Sequence, residues 1–88
     1  MSSERIARMQ DCLQQAFAPS TLDIRDDSHL HAGHAGARNG AGHYSVTIEA
    51  EAFAGKPPLQ RHRMVYAALD SMMGSEIHAL SISAKAPD

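Results

Sequence analysis

The residues of this chain best suited to chemistry are its histidines, six in all, four of which fall between Asp26 and Tyr44 in DDSHLHAGHAGARNGAGHY. A neutral imidazole can ligate a metal or exchange a proton near pH 7. Histidines spaced by glycine and alanine are a compositional sign of metal binding, and the stretch is too polar and too glycine-rich to form core. His29, His31, His34 and His43 are therefore candidate ligands on a loop that can rearrange around what it binds. His62 stands apart, near the start of a predicted helix, where packing would fix its direction. His78 is in phase with an apolar strand face and is expected to be a hydrogen-bonded core or edge histidine. No H-E-x-x-H and no C-x-x-C occurs, so the chain offers half a metal site and a complete one takes ligands from a partner.

The elements that must carry these residues belong to one small domain spanning 1–88. A chain of 88 residues, 43% hydrophobic and 20% charged, has room for one core and little for a deep cleft, which weighs against an enzyme. The lone Cys12 excludes an internal disulfide and reads as a small helix residue. No apolar run is long enough for a signal peptide or a membrane span, which fits a reducing cytoplasm and no membrane partner. A net charge of −2 gives no overall footprint for nucleic acid, so Lys56, Arg61, Arg63 and Lys85 are the residues that would have to supply a local basic patch.

Ile6, Met9, Leu13 and Phe17 recur at helical spacing, with a serine available to cap the start and Pro19 ending the run. Leu22 and Ile24 alternate with Asp23 and Arg25 as a short strand. After the histidine loop (28–43), Tyr44, Val46, Ile48 and Ala50 alternate with Ser45, Thr47, Glu49 and Glu51 as a second strand that pairs with the first, with Asn39-Gly40 as a turn signal in between. Phe53, Gly55 and Pro57-Pro58 read as a break, with a possible extra helical turn. Pro58 then opens a helix expected to reach about Met73, with Gly74 as its left-handed cap and His62 near the middle of its apolar arc. Leu80, Ile82 and Ala84 mark a last strand, and 85–88 is a polar tail. The order predicts an α+β fold, α-β-β-α-β. A right-handed crossover sets the last strand parallel to the second in a three-stranded mixed sheet with the helices on one face.

The runs DDSHLHAGHAG, GHYSV, LQRHRMVYAAL and IHALSI together resemble the BolA family over essentially the whole chain. The resemblance implies a type II KH-like arrangement and a non-catalytic role: pairing with a monothiol glutaredoxin and sharing a [2Fe-2S] cluster to which the partner and glutathione contribute sulfur, with no cofactor when alone. It implies a part in iron-sulfur trafficking or iron and redox regulation. Its helix histidine carries over to His62 and its loop ligand to His31, with His34 and His43 as alternatives on this histidine-rich loop. The family's other reading, a DNA-binding transcriptional regulator, would use Lys56, Arg61, Arg63 and Lys85. The GxxG loop with which KH domains clamp a nucleic-acid backbone is not found here, the corresponding stretch reading AGKPPLQ.

Overall fold

The computed structural model describes residues 2–27 and 42–87. In chain order they form α1 (Ser2–Phe17), β1 (Thr21–Asp26), β2 (Gly42–Glu49), a short 3-10 helix (Glu51–Phe53), α2 (Pro58–Ala68) and β3 (Ile77–Lys85). The sheet order is β1-β2-β3, with β1 antiparallel to β2 and β3 parallel to it. This is the expected α+β arrangement, and the parallel pair follows from the crossover through α2.

Alternation along β2 decides which face is covered. Tyr44, Val46 and Ile48 are buried, and against them pack Met9 and Leu13 of α1, Val65 of α2 and Leu69 just beyond it. Both helices therefore lie on one face, and burying these large side chains contributes about 1.5–3 kcal/mol each. The opposite face carries Ser45, Thr47 and Glu49, with Glu49 paired to Lys85 at 3.8 Å.

Two segments differ from the sequence reading. Phe53, expected as part of a break, is fully buried: the 3-10 turn carries it under α1, where its ring meets that of Phe17 at 5.0 Å. The second helix ends at Ala68 rather than near Met73, because from Leu69 (φ −102°, ψ 11°) the chain proceeds through turns. Within them Met72 N–H donates to the Leu69 carbonyl at 2.9 Å and Ile77 N–H to the Met72 carbonyl at 3.0 Å. These turns bury Leu69, Met72 and Ile77 together, which a continued helix could not do while also starting β3. Gly74 is left-handed at φ 86°, as its type suggested, but inside the turns and not as the helix cap. Among the described residues, no helix is long and apolar enough to cross a membrane.

Candidate functional site

The base of the histidine loop is fixed by backbone pairing at one end of the sheet. Asp26 faces Tyr44, which in turn faces Leu80. Just beyond, Asp27 N–H donates to the His43 carbonyl at 2.7 Å, Gly42 N–H donates to the Glu76 carbonyl at 2.9 Å, and the Ser45 hydroxyl donates to the Asp27 carboxylate. The Glu76 carboxylate accepts from Arg8 of α1, so the same corner is tied to the first helix. His29, His31, His34 and the Asn39-Gly40 turn signal lie outside the described residues.

His43 and His78 meet at this corner. The rings lie 5.1 Å apart between centroids and are inclined at 58°. Their meeting depends on a defect in the β2–β3 ladder: Gly42 faces Ile77 but His43 faces Ala79, so His78 is the extra residue of a β-bulge. The bulge reverses the alternation of β3. Ile77 is buried with the core, and His78 is exposed beside His43 instead of joining the face of Leu80, Ile82 and Ala84 as unbroken alternation would have it. His43 is nearly covered, at 9% exposure, on the strand side away from Tyr44. A signal for the bulge was present: Ile77 and Leu80 are both apolar and three apart, a spacing that a regular strand cannot put on one face.

His62 sits elsewhere. It is half-buried on α2, directly after Arg61, whose guanidinium donates from Nε to the Lys56 carbonyl at 2.8 Å and from Nη1 to the Ala84 carbonyl at 3.1 Å. Ala84 lies six residues along β3 from His78, about 20 Å at roughly 3.3 Å per residue. Tyr66 then reaches the Leu80 carbonyl at 3.3 Å, so α2 runs antiparallel to β3. The His62 end of α2 is thus at the far end of the sheet from both anchors of the loop, and on the opposite face from His43. Among the described residues no three of His, Cys, Asp and Glu gather into a metal-holding group. Imidazoles are donors of the type that a borderline metal such as iron or zinc takes, with the remaining ligands left to another source.

The basic residues are dispersed. Arg61 is committed to two backbone carbonyls, and Lys85 lies with Glu49 on the face away from the helices. Arg63 is exposed and Lys56 half-exposed. They stand in a stretch, 52–69, that contains no acidic residue.

Comparison with known proteins gives a consistent kinship. A family model described as BolA-like protein matches residues 13–88. The chain is 41% identical over 75 residues to BolA-like protein 1 of Mus musculus, covering 85% of this chain and 53% of that protein. It is 33% identical over 75 residues to the DNA-binding transcriptional regulator BolA of Escherichia coli, covering 85% of this chain and 69% of the relative. The BolA domain of SufE1 from Arabidopsis thaliana superposes with a TM-score of 0.83 at 38% identity, over 94% of this chain and 92% of that one. The chain thus spans about half the length of the mouse relative and nearly all of the plant domain.

Proposed function

This chain belongs to the BolA family, and we propose that it acts without catalysis, as the partner of a monothiol glutaredoxin with which it shares a [2Fe-2S] cluster in iron-sulfur trafficking or iron and redox regulation. The observation that carries the reading is the His43–His78 pair, two imidazoles brought together by a bulge at the foot of a histidine-rich loop. Bulges re-aim side chains, and this one turns His78 beside His43, where a regular β3 would not present it. When bound, such a cluster stores and passes single electrons at a potential raised by imidazole in place of thiolate. This chain's part is to hold the two rings in fixed relation as two of the cluster's four terminal ligands, with His31 on the loop as the alternative donor to His43, while the other two ligands are thiols from glutaredoxin and glutathione. The reducing compartment expected from the lone Cys12 suits that chemistry.

The ligand set is tested by mixing the wild type and the His78→Ala, His43→Ala, His31→Ala and His62→Ala variants with a monothiol glutaredoxin, glutathione, iron and sulfide, and following visible circular dichroism. His78→Ala is expected to abolish the shared-cluster spectrum, because a ligand fixed on a strand is hard to replace. His31→Ala should weaken it less, since His34 can substitute. His62→Ala should leave it near wild type, as the far-end position of Arg61 and Ala84 suggests; the helix-ligand reading, with His62 essential, predicts the reverse order. Wild-type spectra from both His43→Ala and His78→Ala would remove the proposal.

The second reading, a DNA-binding regulator, is favoured by the name of the Escherichia coli relative and by the acid-free stretch around Lys56 and Arg63. Arg63→Gln is the clean probe, because Arg61 also holds the backbone of β3. If DNA is the partner, Arg63→Gln weakens binding and lowers the slope of log K against log salt by about one. Weak binding with no change of slope is the expected result.

A further inference from the structure

At the other end of the sheet, away from the histidine pair, lies an open cleft of about 450 Å³ lined by Phe17, Ala18, Ser20, Glu51 and Pro87. Its electrostatics follow from how α1 ends. Gln14 accepts the Ala18 N–H at 2.9 Å, and there the helical bonding stops. The next carbonyl, Gln15, has lost its donor because position 19 is proline. The following one, Ala16, has lost its donor because Ser20 N–H is given to the Glu49 carbonyl at 2.8 Å. The last turn of α1 carries no basic residue to offset the partial negative charge that these carbonyls concentrate. Glu51, exposed in the lining, forms no ion pair among the described residues, and Lys85 pairs with Glu49. Part of the wall is apolar, from Phe17, whose ring meets that of Phe53, and Pro87.

The geometry points to a binding site for a guanidinium group, presented as an arginine side chain of a partner polypeptide: a planar cation stacked on Phe17, with its N–H groups donating to the Glu51 carboxylate in the negative field of the α1 C-terminus. Guanidinium fits this combination better than ammonium because it is weakly hydrated, stacks on aromatic faces and donates two parallel bonds to a carboxylate. The volume exceeds what one guanidinium fills, which leaves room for the residues flanking an arginine and favours a peptide over a free small molecule. The site is independent of the cluster proposal, being at the opposite end of the sheet from His43 and His78.

The test is a titration of the ¹⁵N-labelled full chain with the blocked tripeptide Gly-Arg-Gly, its citrulline and lysine counterparts, and N-acetylarginine amide, read by amide chemical shifts. The arginine tripeptide is expected to shift Phe17, Ala18, Ser20 and Glu51 saturably, more tightly than N-acetylarginine amide. The lysine peptide should bind several-fold more weakly, and the neutral citrulline peptide not at all. Glu51→Gln, at an exposed position that does not bear on folding, should weaken arginine binding about fivefold, and Phe17→Leu should weaken it while keeping the apolar wall. Shifts absent from these residues, equal shifts with citrulline, or unchanged affinity in Glu51→Gln would each overturn the assignment. Equal affinity for the tripeptide and N-acetylarginine amide would overturn the peptide source.

Discussion

Ala18 is the one described non-glycine residue with positive φ, at 45°, and it stands where helices usually place glycine. Its conformation is forced from both sides: Pro19 disfavours a helical residue before it, and Ser20 must reach the Glu49 carbonyl to begin the sheet. A left-handed alanine costs about 1–2 kcal/mol through the clash of Cβ with the carbonyl, and glycine would remove that at the expense of a more flexible unfolded chain. Ala18→Gly is therefore expected to stabilise the protein by about 0.5–1 kcal/mol, raising Tm by a few degrees in a domain of this size, with urea denaturation as the check. Unchanged or lowered stability would mean that the strain is relieved in some other way. The same substitution leaves the histidine pair untouched, so any change in cluster formation would have to come from global stability. Arg61 shows the converse at this scale. Its long side chain looks like a free cation in the sequence, yet it serves as a staple from α2 to the backbone of β3.

At the scale of elements, what sequence reasoning reached and what it missed have separable causes. The strands were legible because each has one covered face: the Tyr44, Val46, Ile48 alternation maps directly onto the buried side of β2. The topology was legible because a strand, helix, strand order leaves little choice of hand or direction. The end of α2 was not, since Val65, Leu69, Met72 and Met73 keep helical spacing while the backbone has already turned; periodicity reports which residues are buried, not the backbone that buries them. Phe53 was hidden by neighbours that signal a break, Gly55 and two prolines, although a three-residue 3-10 turn suffices to bury it. At the candidate site, four histidines could be picked out by composition, but the meeting of His78 with His43 was signalled only by the spacing of Ile77 and Leu80, because a one-residue bulge changes the face of His78 without a change of residue type. The ties from Arg8 to Glu76 join residues 68 apart in the chain and have no local signature.

At the scale of the whole molecule, the sheet has two ends with different chemistry: imidazoles and the loop anchors at one, an electronegative cleft at the other, with the core between. All the fully buried large side chains among the described residues, from Met9 to Ile77, come from the helices, β2, the 3-10 turn, Leu69 just beyond α2 and the first residue of β3. The hairpin register is closed at its base by the Asp27 N–H to His43 carbonyl bond, below the loop. The framework should then stand without the histidine loop. Replacing residues 29–40 by a short Gly- and Asn-containing connection is expected to leave a cooperative unfolding transition and to raise stability by up to about 1 kcal/mol, since shortening a loop about fourfold lowers the entropy of closing it. The shortened chain keeps His43 and His78 but lacks His31 and His34, so it should still assemble a shared cluster with glutaredoxin, at reduced yield, while binding the arginine tripeptide as before. Thermal and urea denaturation, visible circular dichroism and the amide titration read these three outcomes separately. A large loss of stability would show that the loop contributes to packing, and full cluster yield would show that the strand histidines and the partner suffice.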